Sequence, residues 1–414
     1  MQRKVTENGI TGKILSLFLV LAMAIQLTDQ IDFLHTEVSI LIIALFLLAY
    51  GRIYLCMPIN KGLLVLYLLL YGSVITIYKL VGISSANWSY ISIYYSWIIY
   101  SLIGVYVLNV FSFDRKKFIF YGIYAAVMGN IIYICIYGHM YVNVWSKHVE
   151  LMANASYSSM ITIFTGICFI WMLNDKRKRS RILSVLGVIL SLYANVIILQ
   201  RGTNFVLTIL MIALLLLFNS RRQTKGFIIG MVVVIGLLFF FITGIYVNIF
   251  NALIGQLDYR LAKKMSQILI YLQTRDIDAA GGFSGRFYLA QTSLRTWTSS
   301  VIHFFVGAGD IRGSNTIIGN HSEIIDNFAR YGLFIGLITI SVLWRQMKDA
   351  TSMINREKHS ALKYQVIIVF MINIIRNILG TTLTGAMSIV LIIFMKLLIA
   401  VCIDDEQHEV LGEE

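Results

Sequence analysis

Residues 307–336 read GAGDIRGSNTIIGNHSEIIDNFARYGLFIG and mark the place where a polar loop gives way to a helix. The first half is a glycine-rich loop that contains Asp310 and Arg312, and it is too polar and too aperiodic to be a membrane span. The second half predicts the start of a helix, because Asn320 or Ser322 can accept hydrogen bonds from its first backbone N–H groups.

His321 falls at the predicted N-terminus of this helix, and Glu323 and Asp326 begin the same helix outside its apolar run. The positive end of the helix dipole disfavours an imidazolium, so the His321 ring should stay neutral at physiological pH and be able to accept a proton. The alternative is a histidine that only caps backbone groups. Further along, Gly332 and Gly336 predict a small-xxx-small face for close helix packing.

The composition excludes a soluble globular domain. Hydrophobic residues make up 58% of the 414 positions and charged residues 13%, and the mean hydropathy is +0.77. The net charge of +13 does not indicate a nucleic-acid partner, because the basic residues are scattered between apolar runs rather than gathered on one domain. The chain is therefore predicted to be an all-α integral membrane protein.

Apolar segments predict a bundle of about twelve transmembrane helices. About nine of them lie in residues 1–247, a large extracytoplasmic loop covers residues 248–330, and about three more lie in residues 331–414, before an acidic tail. The predicted spans are Ile14–Leu27, Val38–Leu55, Gly62–Tyr78, Ile91–Phe111, Phe118–Tyr137, Ser156–Leu173, Ile182–Leu199, Asn204–Phe218, Gly226–Val247, Tyr331–Trp344, Tyr364–Leu379 and Gly385–Val401.

The charges of the loops predict the orientation. Alternate loops are rich in Lys and Arg, such as Arg115–Lys117, Lys176–Arg181 and Arg221–Lys225, whereas the short loops between them carry at most one basic residue. By the positive-inside rule the basic loops are cytoplasmic. We therefore expect a multi-pass protein of the cytoplasmic membrane, with both termini in the cytoplasm and residues 248–330 outside.

The long outer segment predicts several short elements. An apolar stripe with helical spacing runs from Ile254 to Leu272, and it would lie either on the membrane surface or against neighbouring spans. A turn-rich break over residues 276–286 precedes a predicted helix at Phe287–Thr298. Val301–Val306 is apolar but too short to span, so it is expected to dip into the protein and to return through Gly307 and Gly309.

Several arginines are predicted to face outward, namely Arg201, Arg286, Arg295, Arg312 and Arg376. The planar guanidinium group donates paired hydrogen bonds to phosphate oxygens, so several arginines near one cavity would form a pyrophosphate site. One or two exposed arginines would mean only contact with lipid headgroups. The four cysteines lack the spacing of metal ligands, and no metal site or cofactor is predicted.

Three short motifs, together with the many spans and the one large late outer loop, resemble the O-antigen polymerase and O-antigen ligase superfamily. The motifs are Gln200-Arg201-Gly202, then Ser284-Gly285-Arg286 with Trp297, and then Gly307-Ala308-Gly309 followed by His321-Ser322 and the Gly332/Gly336 pair.

The resemblance implies a polysaccharide repeat-unit polymerase for a capsule, an exopolysaccharide or an O-antigen. Such an enzyme joins repeats linked to undecaprenyl pyrophosphate at the outer membrane face, without a metal or a nucleotide sugar, and a chain-length regulator is a further expected partner. His321, Arg286 and Arg201 are the expected catalytic residues. The expected substrate contacts are Arg312, Gly307, Gly309, Glu323 and Asp326.

Two other functions remain open. A ligase that moves finished glycan onto another lipid or wall acceptor would use the same residues. A polysaccharide flippase is the alternative from a different class. It is less favoured because ion-coupled carriers usually bury acidic residues within spans, and between Ile14 and Val247 every Asp and Glu falls in a predicted loop.

Overall fold

A computed structural model gives the fold. The structure describes residues 10–28, 69, 100, 103–104, 107–108, 111–142, 155–175, 177–199, 202–219, 245–255, 259–274, 282–308, 318–319, 322–355, 359–380, 387 and 389–412. Within these residues the chain is entirely helical and contains no β-strand. Four helices are long and apolar enough to cross a membrane: Phe113–Tyr137, Lys178–Ile198, Glu323–Ser352 and Ser360–Leu379. The fold is therefore that of a membrane-embedded helical protein.

The helices are numbered in chain order. They are α1 (Ile10–Thr28), α2 (Phe113–Val142), α3 (Ala155–Asn174), α4 (Lys178–Tyr193), α5 (Gly202–Leu217), α6 (Ile245–Ile254), α7 (Tyr259–Thr274), α8 (Gly282–Thr298), α9 (Val301–Val306), α10 (Glu323–Ser352), α11 (Ser360–Leu379) and α12 (Met395–Gly412). Two π-helical segments, Ala194–Ile198 and Ile389–Phe394, continue α4 and precede α12 respectively.

Helix α4 shows the pattern of a lipid-exposed span. Its buried face consists of small residues, Ser180, Ser184, Gly187 and Ser191, and Gly187 lies against the Sγ atom of Cys168 in α3. The opposite face is exposed and carries the large apolar side chains Ile182, Val185, Leu186 and Ile189. A helix of a soluble protein buries its large apolar residues, whereas α4 buries small residues and exposes large apolar ones. The small residues allow neighbouring helices to pack closely within a bilayer.

Aromatic rings join α2, α3 and the π-helical segment before α12. The ring of Phe120 packs edge-on against Trp171, with 4.9 Å between centroids, and it stacks on Phe394 at 4.7 Å. Tyr124 contacts Trp171 from the next turn of α2, with 5.5 Å between centroids. These rings, all buried, form the centre of the core.

Three helix ends meet at what we call the basic-loop end. Asn174 Nδ2 donates to Gln365 Oε1 at 2.7 Å, and Gln365 Nε2 donates to Asn219 Oδ1 at 3.0 Å. Each of these residues stands next to a predicted basic loop in the sequence, so the three helix ends that flank those loops lie at the same end of the bundle. This grouping agrees with the alternation of loop charge, whereas the side of the membrane that this end faces stays a prediction.

Several predicted boundaries were wrong. Helix α8 begins at Gly282, so the residues Phe283–Arg286 belong to the helix and not to a turn-rich break. Helix α10 continues to Ser352, beyond the predicted end at Trp344, because the Arg and Lys residues that follow are good helix formers. The stripe expected from Ile254 to Leu272 is divided between α6 and α7, and the acidic tail is helical as far as Gly412.

The largest departure from the prediction is a break in α10. Gly332 has φ 79° and ψ −175°, a conformation that is essentially restricted to glycine. The predicted small-xxx-small face of Gly332 and Gly336 is therefore wrong. Gly332 interrupts the helix, and Gly336 lies against the ring of Phe328 from the same helix, on the other side of the break.

Candidate functional site

The first part of α10 buries a charged face. Glu323, Asp326, Asn327 and Arg330 follow one another at three-and-four spacing, which places them on one side of a helix. All four side chains are buried. Charged groups are costly to bury unless they are paired, and in membrane proteins such residues commonly mark substrate or ion sites.

Ser322, one of the two caps that the sequence predicted, starts this helix. Its Oγ atom accepts a hydrogen bond from the backbone N–H of Ile325 at 3.2 Å, which makes Ser322 the N-cap residue. The backbone N–H of Glu323 donates to the carbonyl of Gly380 at 3.2 Å. The N-terminus of α10 is thereby joined to the C-terminal end of α11.

The carboxylate of Asp326 connects three segments. Ser293 Oγ of α8 donates to Asp326 Oδ1 at 2.5 Å, and the backbone N–H of Ser322 donates to Asp326 Oδ2 at 3.0 Å. Ser293 Oγ in turn accepts from the backbone N–H of Gly319 at 2.9 Å. Both carboxylate oxygens are thus engaged within the protein, so Asp326 fixes α8 and the turn at Gly319 to the start of α10.

The carboxyl group of Glu323 lies within the same set of charges. It interacts electrostatically with Arg330 and with Asp326, and it forms a hydrogen bond with the side chain of Asn327. Its Oε1 atom is buried and has no hydrogen-bond partner among the described residues. The attraction of Arg330 offsets part of the cost of burying a negative charge at Glu323.

Helix α11 adds a second polar face. Asn373, Arg376 and Asn377 are buried and follow one another at three-and-four spacing. Asn377 Nδ2 donates to the Asn373 carbonyl at 2.8 Å, and the guanidinium of Arg376 lies against Gly380, whose carbonyl binds the start of α10. We call Glu323, Asp326, Asn327, Arg330, Asn373, Arg376 and Asn377 the polar cluster.

The break in α10 lies two residues after Arg330, the last member of this cluster in that helix. A Cβ atom at Gly307 would collide with the Arg330 carbonyl, and one at Gly332 would collide with the Phe305 carbonyl, so the end of α9 and the break cross in backbone contact. The backbone N–H of Ala308 donates to the Ala329 carbonyl at 2.8 Å. This bond satisfies a carbonyl that a continuous helix would pair with residue 333.

Some of the predicted site residues are described by the structure, and the others lie outside the described residues. The structure brings Glu323 and Asp326 into the polar cluster and places Gly307 against the backbone of Arg330. Arg286 belongs to helix α8, seven residues before Ser293. Arg201, Gly309, Arg312 and His321 lie outside the described residues, and His321 immediately precedes the N-cap Ser322 in the chain.

The sequence-based prediction missed Arg330, Asn327, Asn373 and Asn377, and it counted Arg376 among the outward-facing arginines without predicting its burial. The signal was present, since polar residues at three-and-four spacing within apolar helices indicate a face that is turned toward protein. Ser293 carries no such signal, because its partner Asp326 is distant in sequence.

A second buried polar network joins α3, the first π-helical segment and α5. Ser158 Oγ donates to Asn195 Oδ1 at 2.6 Å, and Asn204 Nδ2 donates to Ser158 Oγ at 2.5 Å. Asn195 Nδ2 donates to Thr162 Oγ1 at 3.2 Å. The π-helical turn provides the position of Asn195, and the network holds together the helices on either side of the Gln200-Arg201 link.

Within the described ranges, no group of three or more His, Cys, Asp or Glu side chains could hold a metal ion. No protein-family model and no curated protein sequence matches the chain, and the superfamily resemblance therefore remains a prediction. In the described part of the chain, fold and site together are those of a helical protein with apolar helices long enough to cross a membrane and a buried polar cluster at a helix break.

Proposed function

We propose that the protein is a polysaccharide repeat-unit polymerase of the cytoplasmic membrane. It would transfer glycan from a lipid pyrophosphate to a lipid-linked repeat unit at the outer membrane face. In this proposal about twelve spans surround the active site, residues 248–330 form the outer loop, and both termini are cytoplasmic.

The observation that supports a catalytic or binding role is the polar cluster. Its first buried charge, Glu323, follows His321 by two residues in the chain, and the buried Oε1 atom of Glu323 accepts no hydrogen bond from the described residues. A protein that embeds such groups beside a helix break does so at a cost in stability, and function is the usual reason for that cost.

The proposed chemistry uses residues of the chain. His321 takes the proton of the acceptor hydroxyl as its oxygen bonds to the anomeric carbon of the donor sugar, and the bond from that carbon to the lipid pyrophosphate breaks. Arg286 and Arg201 stabilise the leaving pyrophosphate, with Arg312 as a further contact. Gly307 and Gly309 allow backbone to approach the substrate, Glu323 binds the acceptor, and Asp326 holds the site together.

A ligase-type transfer to another lipid or wall acceptor would use the same groups. Only the acceptor separates it from polymerisation, so the reaction product decides between them.

A transporter of lipid-linked oligosaccharide is the second candidate, and one observation favours it. Broken helices with buried acidic residues are typical of secondary transporters, and α10 has both a break at Gly332 and the buried pair Glu323 and Asp326. The first nine predicted spans contain no acidic residue, but α10 does.

The test uses purified protein in liposomes with an undecaprenyl-pyrophosphate-linked oligosaccharide. We expect polymer from the wild type and none from His321→Ala, whereas His359→Ala, at the other end of the bundle, should leave the rate unchanged. Polymerisation by His321→Ala at the wild-type rate would exclude the base assignment. If the lipid-linked substrate moved across the bilayer and no new glycosidic bond formed, the protein would be a transporter and the polymerase proposal would fail.

A further inference from the structure

We infer that helix α9 is immersed in the hydrocarbon edge of the bilayer, beside the break in α10. The inference concerns the lipid contact of α9 alone and is independent of the reaction proposed above. It differs from the sequence-based expectation, in which Val301–Val306 dips into protein.

The side chains of α9 are exposed in a way that a folded protein in water would avoid. Val301 is 75% and Ile302 71% exposed, and Phe305 and Val306 are also exposed. The helix contains no charged residue. Exposed apolar residues that occur together, rather than singly, indicate a surface that another apolar phase covers.

The exposed surface of α9 continues onto a candidate membrane span. The Phe305 ring stacks on the ring of Phe334 in α10, with 5.8 Å between centroids. Phe334 and Leu337 are exposed on the same span, and the large side chain of Trp344 is exposed two turns later. Since an exposed apolar stripe on a membrane-spanning helix faces lipid, the adjoining side chains of α9 face lipid as well.

Several polar groups of α9 and of the residues just before it, Trp297–Ser300, are satisfied within the protein, as immersion favours. Ser300 Oγ caps the start of α9 by accepting from His303 N at 3.0 Å, and His303 Nδ1 is bonded to Ser299 Oγ at 2.7 Å. At the other end, Trp297 Nε1 donates to the Phe304 carbonyl at 2.9 Å.

The carbonyl that Trp297 binds is one that the end of a helix normally leaves to water. The indole ring also stacks on Phe304, so that Trp297 presents an apolar face and a single polar atom, which suits the membrane interface. Hydrocarbon is therefore the surrounding phase that suits α9 and the residues just before it. In water, the Phe304 carbonyl would not need Trp297 as a partner, and the apolar surface would not need to be continuous.

The test measures how spin labels at single cysteines collide with oxygen, which concentrates in hydrocarbon, and with a water-soluble nickel chelate. The four native cysteines are replaced, and the full chain is reconstituted in phosphatidylcholine liposomes. Labels are placed at Ile302 and, as a second position on the same helix, at Val301. Ile189, exposed on α4, is the lipid control, and Arg295, exposed on α8, is the aqueous control.

We expect the ratio of oxygen to nickel collisions at Ile302 and Val301 to be close to the ratio at Ile189. It should be several-fold above the ratio at Arg295. A ratio equal to that at Arg295 would place α9 in water and overturn the inference. Low collision with both reagents would show that protein covers α9, and it would overturn the inference equally. Variants are compared only if they elute like the wild type in detergent.

Discussion

The two ends of the helix bundle treat polar side chains differently. At the basic-loop end, polar groups join helix ends in pairs and remain partly in contact with water. Lys396 is buried but bonds to Asp349, whose side chain is 27% exposed, and Asp175 bonds to the partly exposed Arg177. At the other end, the polar cluster concentrates two acids and two arginines in the interior beside a broken helix.

The difference shows which polar groups serve only to join helices. Pairs near water contribute little to stability and cost little to form. Buried charges balance each other only as a complete set, so the loss of one leaves the others uncompensated. The polar cluster should therefore respond strongly to single substitutions and the basic-loop end weakly.

The largest effect should follow from Arg330→Gln. The change leaves the buried carboxylate of Glu323 without its positive partner and should lower the free energy of unfolding by about 3–5 kcal/mol. Thermal unfolding in detergent and the amount of protein in the membrane measure this loss. The double variant Glu323→Gln with Arg330→Gln should recover much of the stability.

Arg295→Gln is the control for this prediction, because Arg295 is exposed on α8 and should change stability by less than about 0.5 kcal/mol. An Arg330→Gln protein that unfolds at the wild-type temperature would show that the buried charges are not coupled.

Gly332→Ala should have the next largest effect on the free energy of unfolding. The conformation of Gly332 costs an alanine about 1–3 kcal/mol, and the collision with the Phe305 carbonyl adds to that cost. The matched control is Gly129→Ala in α2, where nothing beyond the neighbouring residues and the helix's own backbone lies within 4 Å of the added methyl group. That change should stabilise the helix by up to about 1 kcal/mol. Equal unfolding temperatures for the two variants would argue against the break.

Ser293→Ala should have a smaller effect that is still clear. It removes the hydrogen bond to the Asp326 carboxylate and leaves the Gly319 N–H without that acceptor, at a cost of about 1.5–3 kcal/mol. The control is Ser266→Ala, since Ser266 Oγ bonds only to its own helix, at the Lys263 carbonyl, on an exposed surface. If both substitutions leave the unfolding temperature unchanged, Asp326 does not hold α8 against α10.

The smallest effect should appear at the basic-loop end as a dependence on pH. Burial of the Asp175 carboxyl opposes its ionisation, but hydrogen bonds from Arg177 and Trp171 favour it, and the pKa of Asp175 lies below its usual value. The stability it contributes is present above the unfolded pKa of about 3.9 and is lost as the pH falls through the lower folded pKa.

Asp175→Asn should reduce the decrease in unfolding temperature between about pH 6 and about pH 3 without abolishing it, since other carboxyl groups also titrate there. The difference should shrink at high salt, because Arg177 is exposed to solvent. An Asp175→Asn protein with the same pH profile as the wild type would show that this ion pair contributes nothing.

Parts of the fold and of the site follow from local sequence. The predicted spans at Ser156–Leu173 and Tyr364–Leu379 agree with α3 and α11 to within a few residues, because an uninterrupted apolar run fixes a membrane helix locally. Ser322 was predicted as a cap for a similar reason, since its side chain bonds to a backbone group three residues away. Glu323 and Asp326 were chosen as candidate site residues because they follow that cap in the first turn of the helix.

By itself, therefore, the sequence determined that the chain is helical and membrane-embedded, and where several helices begin. Only the tertiary structure decided that Gly332 breaks a helix, because the break depends on the approach of the Phe305 carbonyl from another segment. It also decided that Arg330 and Arg376 are buried in the protein, and that α9 is exposed rather than enclosed. Hydropathy and capping act over a few residues, whereas charge pairing and backbone crossings depend on which distant segments meet.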